Sequence, residues 1–165
     1  MSDDSVSIND ISVGDLGDAV VVIAVDKSKQ SEDAFDKYLD NLYRPDHQVV
    51  LVNVPQEPTT HTCRGAHLRD SDWQKMERRE KEDTSKIVGT FSAKCKQRKL
   101  KANYKTLYGG KPEEVIVEAA AQLQAMLLVV GCHERGVIRR TIQGSVSDYV
   151  LKNAKTSVFV CRGAH

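Results

Sequence analysis

Short runs of β-branched and aliphatic residues alternate along this chain with longer stretches in which apolar residues recur every three or four positions. Val20, Val21, Val22, Ile23, Ala24 and Val25 form a first run that ends at Asp26, too short for a helix and of strand composition. Ala34, Phe35, Tyr38, Leu39 and Leu42 then repeat at helical spacing, with Ser31 as N-cap and Pro45 beyond the end. A second strand-like run, Val49 to Val54, stops at Pro55. Residues Gln56 to Asp70 hold Pro58, Thr59, Thr60 and Gly65 and read as a long surface loop, of a kind that often carries function in compact domains. In the charged helix that follows, Trp73, Met76, Ile87, Val88 and Phe91 share one face, and Arg78, Glu80, Lys81 and Glu82 turn to water.

Ala102, Tyr104, Thr106 and Tyr108 predict a third strand closed by Gly109 and Gly110. Pro112 suits the first turn of a helix whose inward face is Val115, Ile116, Ala119, Ala120 and Leu123. Met126 to Val130 predicts a fourth strand ending at Gly131. Val146, Tyr149, Val150 and Ala154 space as a helix, and Val158, Phe159 and Val160 predict the last strand. Five strands alternating with four helices imply an α/β fold, because parallel strands need crossovers, and right-handed crossovers put helices on both faces of the sheet. Such sheets bind ligands outside the carboxyl ends of their strands, near the switch in strand order. Attention therefore falls on Asp26, Val54, Pro55 and the stretch from Val130 to Asp148.

A length of 165 residues fits one domain, and a composition 40% hydrophobic and 28% charged is too apolar for wholesale disorder. The first eighteen residues carry Asp3, Asp4, Asp10, Asp15 and Asp18 without a Lys or Arg, so residues 1–18 read as an acidic flexible tail and 19–165 as the domain. A net charge of +1 supplies no global basic field. The local run Lys94, Lys96, Arg98, Lys99 and Lys101 lacks interleaved aromatics and reads as a solvated helix end, so no nucleic-acid partner is expected. No apolar run approaches the roughly 20 residues that span a bilayer, and the N-terminus is acidic where a signal peptide is basic. The expected address is cytoplasmic, with no membrane partner. Cys63, Cys95, Cys132 and Cys161 form no C-x-x-C or zinc-ligand spacing, so reduced thiols are expected.

The chemistry gathers in the segment from Gly131 through His133, Glu134, Gly136, Arg139 and Arg140 to Gly144, Ser145, Val146 and Ser147. Glycines let backbone approach phosphate, and a helix opening at Ser145 offers free amides and a positive dipole end. The simpler reading is a strand-to-helix connection with a serine cap. Other motifs fail. After Gly109, Gly110 and Lys111, Pro112 stands where a phosphate loop needs Ser or Thr. His133 and Glu134 lack the second histidine of a zinc-protease helix, and no G-x-S-x-G elbow occurs. His61, Cys63 and His67 share one loop but read as solvated polar residues. Cys132, beside a glycine loop, reads as an ordinary small residue in a turn.

Taken in order, these features resemble the universal stress protein family, whose signature is Gly, two residues, Gly, nine residues, then Gly followed by Ser or Thr. Gly131 matches the first glycine, and Arg135 to Gln143 lead into Gly144 and Ser145, while Glu134 occupies the second glycine position. The resemblance extends to the strand ending at Asp26, the strand through Val54, the helix entered at Gly110 to Pro112, and Ser147 to Val150. It implies a Rossmann-like open parallel five-stranded sheet with helices on both faces, of the adenine nucleotide alpha hydrolase-like type. In the nucleotide-binding branch it implies ATP or AMP as ligand, with Mg2+ possible beside ATP. Ala24 and Val25 would line the adenosine pocket, with the Asp26 carboxylate near adenosine and the main chain of Val54 against adenine. Val130 and Gly131 would border the ribose, His133 would lie in the same loop, and Gly144, Ser145, Val146 and Ser147 would hold phosphate. Asp26 otherwise reads as a turn residue at a strand end, and Val54 as core.

A homodimer through Val158, Phe159 and Val160 is also implied, and an apolar last strand benefits from such pairing. The other branch of the family implies a nucleotide-free interaction scaffold, a reading that Glu134 favours because a carboxylate beside the phosphate path opposes anion binding. No residue is placed to activate water, so the chain reads as a binding protein rather than an enzyme, with at most very slow ATP hydrolysis.

Overall fold

The computed structural model describes residues 19–55, 70–132 and 145–162. Expectations that fall on the acidic tail, on the loop with His61, Cys63 and His67, and on Gly136, Arg139 and Arg140 lie outside the described residues. In chain order the elements are β1 (Val20–Ala24), α1 (Lys29–Asn41), β2 (Gln48–Asn53), α2 (Asp70–Gln97), β3 (Ala102–Thr106), α3 (Pro112–Gln122), β4 (Leu127–Cys132), α4 (Ser145–Asn153) and β5 (Ser157–Arg162). The strands form one sheet in the order β3-β2-β1-β4-β5, and every neighbouring pair is parallel.

The unbroken apolar runs follow from that arrangement, because both faces of the sheet are covered and successive side chains point to opposite sides. Val21 and Ile23 of β1 and Val49 and Leu51 of β2 pack under Ala34, Phe35 and Tyr38 of α1 and Ile87, Phe91 and Cys95 of α2. Val20, Val22, Val50 and Val52 pack on the other face against Ile116, Ala119 and Ala120 of α3 and Val150 of α4. From β1 the chain steps outward through β2 to β3, then returns to place β4 on the other side of β1. The strand order thus switches between β1 and β4, and the ligand crevice of this fold class opens at their carboxyl ends.

Four sequence expectations are corrected. Ser28, not Ser31, is the N-cap of α1, and its hydroxyl accepts the Ser31 N–H. The fourth strand begins at Leu127 and runs on through Cys132, which is buried, while Met126 is 46% exposed. Trp73 is 42% exposed rather than core-facing. The 28-residue α2 is about 42 Å long against about 17–20 Å for these strands, so only its second half overlies the sheet. The basic run is in part an interhelical contact: Lys94 bonds Asp36 at 2.7 Å and approaches Glu32 at 3.4 Å, and Arg98 pairs with Asp40. Desolvation opposes the Lys94 charge, but the hydrogen bonds and charges of Asp36 and Glu32 outweigh it and raise its pKa.

On the α2 side of the β2–β3 pair, two buried polar atoms lack hydrogen-bond partners: Asn53 Nδ2 and the Tyr104 hydroxyl. Burial pushes the Tyr104 phenol up to about 12, although Thr106 and Asn53 lie near enough to favour its ionised form slightly. A buried hydroxyl without a well-formed bond costs stability. Tyr104→Phe is therefore expected to leave the fold as stable or to raise it by up to about 1 kcal/mol, a gain of roughly 2–4 °C in Tm. Calorimetric unfolding that shows a loss above about 1 kcal/mol would mean that the hydroxyl is paired after all.

Candidate functional site

Beyond β1, backbone pairing with β2 continues for one residue, since the Val25 N–H donates to the Val52 carbonyl at 2.8 Å. The Val25 side chain is buried in the core beneath α1 and α2, whereas Ala24 packs toward α3 and α4. Any contact from Val25 to a ligand would come from its main chain. Asp26 follows as an exposed residue, and its surroundings are highly ordered by hydrogen bonds. The Asp26 N–H donates to Ser31 Oγ at 3.0 Å. Asp26 Oδ1 accepts from the Ser28 N–H at 2.8 Å and from the Ser28 hydroxyl. Ser28 Oγ in turn accepts from the Ser31 N–H at 3.2 Å. Asp26 is thus a turn residue, as one of the two sequence readings holds, and its carboxylate stands just beyond the carboxyl end of the central strand β1. The next residue, Lys27, pairs with Asp83 of α2 at 2.8 Å across an exposed surface.

The β4 side of the crevice is set by Gly131. A Cβ there would lie 2.6 Å from the Gln30 carbonyl oxygen and 3.1 Å from the Ser31 nitrogen, so the first turn of α1 rests directly on the β4 backbone. The glycine is required by helix-to-strand approach, one of the roles glycine takes in nucleotide-binding βα units. Val130, just before it, is buried on the α3 and α4 side. Val54 is half-buried against the same cluster, and its predecessor Asn53 accepts the Leu107 N–H at 2.8 Å. At the start of α4, Val146 packs on that cluster and Ser147 is almost fully buried.

The structure therefore brings Ala24, Asp26, Val54, Val130 and Gly131 to the carboxyl edge of three adjacent strands, with Val146 and Ser147 at the start of the helix that follows β4. His133, Glu134 and Gly144 lie outside the described residues, as does the Ser145 side chain. Sequence reading missed Ser28 as a site residue and assigned Ser31 only a capping role. The signal was present, because an Asp two residues before a Ser is the pattern of an Asx turn that runs into a helix cap. Among the described residues no group of three or more His, Cys, Asp or Glu side chains could hold a metal.

Residues 19–162 match the Universal stress protein family. The chain belongs to that family. A curated universal stress protein of Staphylococcus haemolyticus is 26% identical over 143 residues, covering 86% of this chain and 83% of the relative. Among solved universal stress protein structures, UspA from Lactobacillus plantarum superposes with a TM-score of 0.69 at 17% identity, covering 88% of this chain and 98% of that one. A family member from Arabidopsis thaliana with AMP bound has a TM-score of 0.64 at 21% identity, covering 88% and 92%. A universal stress protein in complex with cAMP has a TM-score of 0.62 at 21% identity, covering 89% and 97%. These likenesses establish the universal stress protein fold for this chain, a parallel five-stranded sheet with helices on both faces.

The close approach at Gly131 yields a test of what holds the crevice. Gly131→Ala must displace α1 from β4 and is expected to cost about 1–3 kcal/mol. Gly89→Ala, at a helical position with nothing within 4 Å, should instead stabilise by about 0.5–1 kcal/mol. Urea unfolding midpoints that move the same way in both variants would show that the α1–β4 contact is not the constraint.

Proposed function

We propose that this universal stress protein binds an adenine nucleotide, AMP or ATP, at the carboxyl edge of the sheet and acts as a dimeric stress-response or signalling protein. The observation that carries the reading is the convergence of an oriented carboxylate, Asp26, with the close-packed Gly131 near the carboxyl end of β4, at the topological switch point. A carboxylate suits vicinal ribose hydroxyls, and the start of α4 with Ser145 and Ser147 suits phosphate. The AMP-bound Arabidopsis relative and the cAMP-bound relative give the reading support from the same fold. Adenine would meet the main chain at Val54, with Ala24 and Val25 beside adenosine, and Val130, Gly131 and His133 beside ribose and phosphate. Gly144 and Val146 complete the phosphate set, and Mg2+ would accompany ATP. The domain would extend over 19–165, in a protein of cytoplasmic address with no nucleic-acid or membrane partner; no helix among the described residues is long and apolar enough to cross a membrane.

Family membership favours binding over turnover. A nucleotide-free scaffold is the second reading, and Glu134 at the second motif glycine is the observation that favours it.

The dimer would form through β5, an edge of the sheet on which Val158, Phe159 and Val160 are each only partly buried. Two copies pairing antiparallel about a two-fold axis would close that edge.

Two experiments test these readings. Asp26→Asn keeps the Oδ1 acceptor that Ser28 uses and removes the charge. It should weaken AMP about tenfold or more by calorimetry with little change in Tm, and equal affinities would remove Asp26 from the site. For assembly, Val160→Pro should shift the protein to monomer in light scattering, since proline removes a ladder donor. A monomeric unmodified protein at micromolar concentration would refute the dimer.

A further inference from the structure

The turn between β1 and α1 contains one proton more than helix capping needs. An N-cap serine stabilises a helix by accepting a backbone N–H from the first turn, and Ser28 does so from Ser31 at 3.2 Å. That bond uses a lone pair and leaves the hydroxyl proton for another acceptor. Here it goes to Asp26 Oδ1, the same oxygen that accepts the Ser28 N–H at 2.8 Å. The Asp26 N–H donates to Ser31 Oγ, and Ser31 is 3% exposed, so the loop closes on a buried anchor. Gln30 and Ser31 are pressed against Gly131 of β4, which fixes that anchor relative to the other wall of the crevice.

We propose that Ser28 is a positioning residue that sets the orientation of the Asp26 carboxylate and thereby the protein's selectivity for ribose over deoxyribose. The inference rests on the adenine-nucleotide reading above. Asp26 is an exposed side chain on a connection of four residues, and an untethered carboxylate there would exchange among rotamers. Two donors on one oxygen hold the carboxylate plane. A carboxylate offers about four acceptor sites, so the Ser28 bonds do not exhaust its capacity to accept from vicinal hydroxyls. The geometry makes Ser28 a coupling point as well: a ligand that draws on Asp26 pulls against the cap of α1 through a single side chain.

The test separates capping from positioning. Glycine at an N-cap is tolerated nearly as well as serine, so Ser28→Gly keeps α1 while removing the hydroxyl, and Ser28→Thr restores it. AMP, 2′-deoxy-AMP and 3′-deoxy-AMP would be titrated calorimetrically against the unmodified protein and both variants, with helical content followed by circular dichroism. The unmodified protein should favour AMP over each deoxy ligand by about tenfold, as loss of a hydrogen bond to a charged group implies. Ser28→Gly should compress that preference to within about twofold, and Ser28→Thr should recover it. An unchanged preference in Ser28→Gly, or an equal loss of affinity for all three ligands, would overturn the positioning role. Equal binding of AMP and the deoxy ligands by the unmodified protein would overturn it while leaving nucleotide binding in place. Failure of all three to bind would instead bring down the nucleotide reading itself, and this inference with it.

Discussion

A backbone-on-backbone contact underlies the geometry of the crevice. The first turn of α1 lies on β4 so closely that Gly131 cannot carry a side chain without striking the Gln30 carbonyl. Because β1 is the central strand and β4 its neighbour across the switch point, this contact draws the start of α1 over the junction between them. Ser28 and Ser31 then stand within hydrogen-bond reach of Asp26, and the carboxylate is fixed just beyond the carboxyl end of β1. The cap of a helix, the close packing of a helix on a strand and the orientation of a polar side chain are here one feature.

The other helix on that face is held differently. Phe35 of α1 and Phe91 of α2 meet edge to face with ring centroids 5.5 Å apart, and both are fully buried. Burial of such a ring contributes about 1.5–3 kcal/mol, whereas an exposed ion pair contributes about 0–1. The ladder of Lys94 and Arg98 against Glu32, Asp36 and Asp40 therefore adds little to the energy of docking. Its spacing of four residues on both helices aligns α2 along α1, so its effect is on register. Lys27 and Asp83 extend the same alignment toward the β1 end of α1.

How far the fold could be read from the sequence depended on the range of the forces involved. The strands were legible because burial on both faces leaves continuous β-branched runs, such as Val20 to Val25, that a helix of that length would not need. Gly109 and Gly110 were legible as a break before α3, and both adopt positive φ, at 94° and 113°, but β3 already ends at Thr106 and leaves Tyr108 exposed. Trp73 was misplaced because a 3.6-residue period reports a helix face but not where the sheet beneath it ends. Lys94 and Arg98 read as solvated because their partners lie 58 residues away in sequence. In the candidate site, Asp26 and Val54 were legible as strand-end positions, whereas Gly131 lies one residue inside the end of β4. The opposite facing of Val25 and Val130 was not, because a continuous run shows no inside or outside until the helices are placed.

If the crevice is the nucleotide site, the perturbation caused by AMP must be confined to the carboxyl edge of the sheet. Amide resonances of 15N-labelled protein followed through an AMP titration measure that directly. Saturable shifts are expected for Asp26, Ser28, Val54, Gly131 and Ser145, with Lys101, Ala102 and Asn103 at the opposite edge unmoved. Saturable shifts centred on Lys101 to Asn103, or no saturable shifts at the β1 and β4 ends, would contradict it.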